Sequence, residues 1–202
     1  MKGIFDNGMF DFRTVKRPPH RGSLLVAQPG LREGWFRHGV ITLFDHDSEA
    51  GSMGVVMNNQ LPLTLGSLLD GIKRKEDVPV YCGGPVNGDQ LFFMHTLGDI
   101  LDGALEVSPG LFVSGDFDAM KDYINSGYPV EGHIRFFVGY SGWDAGQLQQ
   151  ECADDVWAVT PTPFTPAEAL TGADDAYWHK TVRAMGPAYA SWLRHPKNPS
   201  LN

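Results

Sequence analysis

With 202 residues, 42% of them hydrophobic and 20% charged, the chain is long enough for a sizeable core and ordinary for a globular protein. A net charge of −8 argues against non-specific nucleic-acid binding, and two cysteines, Cys82 and Cys152, are too few for a disulfide framework or a four-cysteine zinc site. No apolar run approaches the roughly 18 residues of a membrane span, and the start MKGIFDNGMF lacks the apolar core of a secretory signal. A cytoplasmic location with reduced thiols is therefore expected.

Glycine and proline are frequent but spread throughout, which predicts one domain over residues 1–202 built of short elements and tight turns. Residues 1–20 read as an irregular or partly helical arm ending in Pro18-Pro19. GSLLVAQP, GVITLFDHD and MGVVMNNQ then read as three Val- and Ile-rich buried strands. In LTLGSLLDGI, Leu65, Leu68, Leu69 and Ile72 fall at helical spacing. PVYCGGPV and DQLFFMHTL follow as strands, and GALEVSPGLFVSGD as a hairpin turning at Pro109-Gly110. Asp116 is placed to cap a helix whose inner face is Phe117, Met120 and Ile124, stopped by Gly127.

HIRFFVGY is the clearest strand, and it leads into the most distinctive stretch, VGYSGWDAGQLQQE. Asp144 followed three residues later by Gln147 has the spacing of a capping box, and Trp143 and Leu148 are placed as a hydrophobic staple. Tyr140-Ser141-Gly142 is then the tight connection between strand and helix. VWAVTP is a last strand. In FTPAEALTG, Thr165 caps a short helix with Pro166 at its first position, Glu168 in the box and Gly172 as the stop. AYWHKTVRAMG is a terminal helix with Trp178, Val182 and Met185 on one face, and residues 195–202 read as a loose tail.

Charge is uneven. Residues 1–32 hold six Lys/Arg and two Asp/Glu, while residues 131–178 hold eight acids and one arginine. A basic arm around Lys16, Arg17 and Arg21 suits either an acidic partner or the chain's own acidic segment.

The motifs that carry chemistry each fall short. Gly139-Tyr140-Ser141-Gly142-Trp143 departs from the G-x-S-x-G nucleophile elbow at its last glycine. An anion at the following helix start would meet Asp144. Gly83, Gly84 and Gly88 have P-loop glycine spacing, but Asp89-Gln90 replaces the Lys-Ser/Thr that holds phosphate. The Asp45-His46-Asp47 loop lacks a ligand spacing; His38 or His95 could join His46, yet nothing local makes them converge, so no metal and no cofactor is expected. What remains is a set of polar or glycine-rich ends on apolar strands: Asn58-Asn59, Gly83-Gly84-Pro85, His95 and Ser141. If they share a rim, they suit a small polar ligand; otherwise each is an independent turn.

The run of GSLLVAQP, GVITLFDHD, SMGVVMNNQ, YCGGPVNGDQLFFMHTL, GLFVSGD and RFFVGYSGWDAGQLQQE followed by Trp157 resembles the bacterial AlgH/YqgE family over about residues 20–160. Cys82 before the glycine pair and FFMHTLGD look like a Bacteroidetes-type member. The resemblance implies an α+β fold: a branched mixed β-sheet curled into a pseudo-barrel, with short helices packed outside. It implies no assigned reaction, and family members often carry a transcriptional-regulator label. Acidic charge and the lack of a helix-turn-helix weigh against direct DNA binding. The favoured function is a regulatory domain binding a small polar ligand or a protein partner. The alternatives are an enzyme with its site near Gly83-Gly84-Pro85 and, less favoured, a DNA-binding regulator.

Overall fold

The computed structural model describes residues 12–32 and 34–195; the beginning of the expected arm and residues 196–202 of the expected tail lie outside the described residues. The strands are β1 (Ser23–Ala27), β2 (Val40–Asp47), β3 (Gly51–Val56), β4 (Gln60–Thr64), β5 (Pro79–Cys82), β6 (Val86–His95), β7 (Leu105–Ser108), β8 (Leu111–Val113), β9 (Ile134–Trp143) and β10 (Trp157–Pro161). The α-helices are α1 (Leu65–Leu68), α2 (Phe117–Asn125), α3 (Gln147–Ala153), α4 (Pro166–Ala169) and α5 (Asp174–Ala184).

The sheet runs β10-β1-β2-β3-β9-β6-β8-β7, with the β4–β5 pair joined as a branch through parallel pairing of β5 with β9. All other pairings are antiparallel. The sheet curls until its β7 end approaches β1: a Cβ on Gly22 would lie 2.8 Å from the Val107 carbonyl. Inside the curl, Leu24, Val26, Val55, Met94, Val113 and Phe137 pack with Trp178 and Val182 of α5. On the outer face α2 covers Val80, Phe93 and Phe136, and α3 covers Leu25, Ile41 and Val56. Successive residues of a strand point to opposite faces, and both faces here are covered. That is why β1 is buried at all five positions and its sequence is continuously apolar.

The caps largely form as expected. Asp116 accepts from the Asp118 and Ala119 amides at the start of α2, and Thr165 and Glu168 complete the box of α4 with Pro166 at its first turn. The hairpin at Pro109-Gly110 joins β7 to β8. Several expectations change. The Leu65 helix is one turn only, leaving Leu68 exposed, because Gln60–Thr64 forms a strand on β5 that the pattern did not announce. Phe117 is exposed at 37%, so the inner face of α2 is Met120, Tyr123 and Ile124.

The largest change is at Tyr140-Ser141-Gly142, which is no turn. These residues continue β9, which pairs with β6 on one side and then with Ser52–Gly54 of β3. The bend that allows this sits at Gly139, with φ +68°. A side chain there would meet the Gly84 and Val86 carbonyls at 2.6 and 2.8 Å. Asp144 does not cap α3 with its side chain; the helix begins at Gln147 behind Gly146 in the left-handed region. Only the reverse half of the box forms, as the Asp144 amide donates to Gln147 Oε1 at 3.0 Å. The staple pair, Trp143 and Leu148, is buried in one cluster.

The chemical role of this corner is to hold a carboxylate. Glu151 accepts from the indole N–H of Trp143 at 2.8 Å, from that of Trp157 at 2.7 Å and from the Gln147 amide at 2.9 Å. Trp143→Ala would remove a buried aromatic and one of these donors, and we expect a loss of about 3 kcal/mol. Ser141→Ala would cost only about 1 kcal/mol: Ser141 Oγ donates to the Gly83 carbonyl, which keeps a second donor in the Val56 amide. Urea unfolding of the two variants checks the ranking, and equal midpoints would remove Trp143 as the anchor of the corner.

Of the described basic arm, Thr14 and Lys16 lie on the chain's own acidic segment, while Arg21 pairs with Asp45 outside it at 3.1 Å. Lys16 Nζ is 2.6 Å from Asp155 and donates to the Cys152 and Ala153 carbonyls at the end of α3. Thr14 donates to the same Asp155 carboxylate through its amide and hydroxyl.

Candidate functional site

The polar strand ends do not form one open rim. Gly83-Gly84, Asn59 and Ser141 do come together: the Gly83 carbonyl accepts from Val56 and Ser141, and the Asn59 carbonyl accepts from Cys82. His95 stands apart, paired with Ile134 at the opposite end of β9 from Ser141. Seven steps along β9 separate those two positions, roughly 20 Å at strand rise.

The glycine corner is also closed. A Cβ on Gly83 would lie 2.2 Å from the Gly139 carbonyl, and one on Gly84 2.4 Å from the Tyr140 carbonyl carbon and oxygen. These glycines let two backbones touch, which leaves no space for a ligand. Pro85 is exposed beside them. Cys82 is buried with its thiol 3.7 Å from the Gly84 carbonyl, and burial pushes its pKa up, away from the reactive thiolate.

Asn58 and His95 are spent on structure. The Asn58 amide accepts from Val40 and donates to the carbonyls of His38 and Asp174. His95 is fully buried, with Nδ1 accepting from the Leu97 amide and Nε2 donating to the Ser114 carbonyl. Burial lowers its pKa, against the Ser114 bond, which favours the neutral ring, and both ring nitrogens are already bonded to backbone.

A cleft lies elsewhere, about 400 Å³ in volume, where the branch strands β4 and β5 meet β9 and the segment after α4. Gln60, Arg74, Tyr81, Glu131 and Arg135 line it, along with Gly172. Arg135 is the central group. It points to the inner side of β9 and is 3% exposed. Its guanidinium donates to the carbonyls of Met57 at 2.5 Å, Leu170 at 2.8 Å and Gly172 at 2.7 Å. Those bonds use three of its five N–H groups. Its carbon lies 4.2 Å from the Tyr81 ring centroid and 5.8 Å from that of Tyr177.

No carboxylate pairs with Arg135 among the described residues. A buried cation is costly unless compensated; here carbonyl dipoles and tyrosine faces do that. Burial pulls the Arg135 pKa down, opposed by Tyr81, Tyr177 and the Glu131 carboxylate, while burial raises Tyr81 and raises Tyr177 to about 12. The phenols are therefore neutral faces and donors, not bases. Arg74 reaches the same cleft and donates to the Tyr128 carbonyl at 2.6 Å. The sequence signal for Arg135 was a lone cation at the head of an otherwise apolar strand; Gln60 and Arg74 had none, since the branch that brings them there is tertiary.

A second hollow, about 350 Å³, lies between the Asp45–Ser52 region and Tyr140-Asp144. Two of its acids are engaged: Asp47 accepts from the Glu49 and Ala50 amides and Asp45 pairs with Arg21, while His46 Nδ1 lies 2.7 Å from Ser52 Oγ. His46 meets neither His38 nor His95 in a shared ligand set among the described residues.

Sheet order, branch and cleft define an α+β protein with a curled sheet flanked by short helices. The family model described as DUF179, AlgH-like, matches residues 24–190, and the chain belongs to this family. It is 40% identical over 185 residues to a UPF0301 protein of Parabacteroides distasonis, covering 91% of this chain and 92% of that one. It is 39% identical over 197 residues to a UPF0301 protein of Bacteroides thetaiotaomicron, covering 98% of each. Among solved structures, it is similar to the AlgH protein of Pseudomonas aeruginosa at a TM-score of 0.66 and 27% identity, covering 87% of this chain and 94% of that one. A protein of Corynebacterium diphtheriae shares the fold at a TM-score of 0.67 and 22% identity, covering 96% and 100%. No described helix is long and apolar enough to cross a membrane.

Proposed function

We propose that the chain is a cytoplasmic regulatory binding domain that takes a small organic anion in the cleft beside Arg135. The observation that carries this reading is the buried guanidinium on the cleft wall, bonded to three neutral carbonyls and to no carboxylate among the described residues. Such a group retains donor capacity and positive potential for an anion whose own carboxylate accepts from it. Arg74, ion-paired with Glu76 at 3.2 Å, adds a second cation, and Gln60 an amide able to donate or accept. The lining also carries the carboxylates of Asp77 and Glu131, and no imidazole or thiol, so the anion has to sit close to Arg135 for attraction to outweigh those acids. With a net charge of −8, duplex DNA is not the expected partner.

Thermal unfolding with citrate, glutamate or inorganic phosphate tests the proposal. At least one should raise Tm saturably, by the equivalent of about 2.7 kcal/mol at a hundredfold excess over Kd. Arg74→Ala should abolish the rise while leaving the ligand-free protein folded. If none of the three moves Tm, or the rise survives in Arg74→Ala, the cleft is not an anion site.

A further inference from the structure

The geometry points to a divalent transition-metal site, of the zinc class, made by His38, Asp175 and His179. It is independent of the cleft reading. Among the described residues these three form the group whose ligand atoms all lie within 4.8 Å of one another. His38 Nδ1 is 2.5 Å from Asp175 Oδ1, and His179 Nδ1 is 3.2 Å from Asp175 Oδ2. One carboxylate therefore faces two imidazole nitrogens, a donor set of two nitrogens and an oxygen that suits zinc. His179 Nδ1 also lies 2.9 Å from the Asp175 carbonyl, so in the metal-free protein the cluster is held by hydrogen bonds.

Asp175 and His179 stand four residues apart on α5, hence on one helix face. His38 comes from the loop before β2 and is fully buried, while the Asp175 and His179 side chains are 41% and 23% exposed. Two of the ligands thus reach solvent, which gives an entry path.

The supporting residues hold this arrangement before any metal arrives. The His38 ring stacks on Trp178 at 3.9 Å and 8°. Asn58 Nδ2 donates to both the His38 and Asp174 carbonyls, and the Asp174 amide donates back to the Asn58 carbonyl at 2.6 Å. One buried amide therefore ties together the two segments that carry the ligands. Both segments carry a non-glycine residue in the left-handed region, His38 at φ +51° and Asp174 at φ +50°. Backbone held in that region on both sides of a ligand set, and cross-linked there, is the kind of preorganisation that functional sites show.

The test uses the untagged full chain, stripped with chelator and titrated with Co²⁺, then Zn²⁺. One equivalent of Co²⁺ should bind with visible d–d absorption, and Zn²⁺ should displace it. His179→Gln, a partly exposed change that keeps the fold by circular dichroism, should weaken Co²⁺ binding by more than the roughly 10- to 100-fold typical of outer-shell losses. Asp175→Asn should do the same, and His46→Ala should bind like the parent. The proposal is overturned if the parent gives no Co²⁺ spectrum, or if His179→Gln and Asp175→Asn both bind undiminished.

Discussion

Gly84→Ala is expected to cost about 5 kcal/mol and to leave the chain largely unfolded, against a total stability of about 5–15 kcal/mol for a typical domain. Two causes add. Gly84 has φ +151°, where a side chain is strained by about 1–3 kcal/mol. The new methyl carbon would also lie 2.4–2.5 Å from the Tyr140 carbonyl group and the Ser141 amide nitrogen. These are backbone atoms of β9, the strand that pairs with β3, β5 and β6, so relief would come only by breaking that pairing. Overpacking a side chain costs about 1–3 kcal/mol; overpacking the central backbone belongs above that range. Gly88→Ala is the matched control. It lies four residues further on, in the irregular first part of β6, with nothing within 4 Å of its added carbon, so its change should stay within about 0.5 kcal/mol. Comparing soluble yield and urea midpoint for the two variants decides the matter, and a folded Gly84→Ala protein with a parental midpoint would refute it.

Arg135→Ala is expected to cost about 4 kcal/mol, because three hydrogen bonds from a charged donor, each worth about 1.5–3 kcal/mol, are lost together. The guanidinium closes the gap between β3, β9 and the loop after α4 by bonding Met57, Leu170 and Gly172. Without it the Met57 and Gly172 carbonyls lose this donor, the Leu170 carbonyl keeps only the Gly132 amide at 3.4 Å, the Tyr81 face loses its cation, and the existing cleft enlarges. Arg135→Lys should recover only part of this, because an ammonium cannot span three carbonyls in the planar fork of a guanidinium. The unfolding midpoint should therefore fall in the order parent, lysine, alanine at unchanged denaturant dependence. Equal stability of lysine variant and parent would mean that charge alone matters.

These two positions also mark where reading the chain stops being local. Apolar runs placed β1, β2 and β3, and the caps of α2 and α4 followed from Asp116, Thr165 and Glu168, because each signal and its consequence lie within a few residues. The family could be read from the same segments and agrees with the match over residues 24–190. Trp143 and Leu148 were rightly paired, since a staple is local. The Tyr140-Ser141-Gly142 run failed as a turn because strand pairing with β3, ninety residues earlier in the chain, outweighs local glycine content.

Composition, periodicity and caps alone determined a mixed α/β chain of short elements, its main strands and two helix starts. Tertiary structure alone decided that the glycine pair is a closed backbone contact, that His95 and Asn58 are saturated, and that the β4–β5 branch opens a cleft at Arg135. It also decided that His38 meets Asp175 and His179, which lie 137 and 141 positions further along the chain. The expected terminal helix begins at Ala176, so Asp175 lies outside it, and Asp175 with His179 is in any case only part of a ligand set. The physical reason is the same throughout. Backbone preference and amphipathic period act over one or two turns, whereas a site needs polar groups from distant segments to converge, and convergence is set by sheet order and curl.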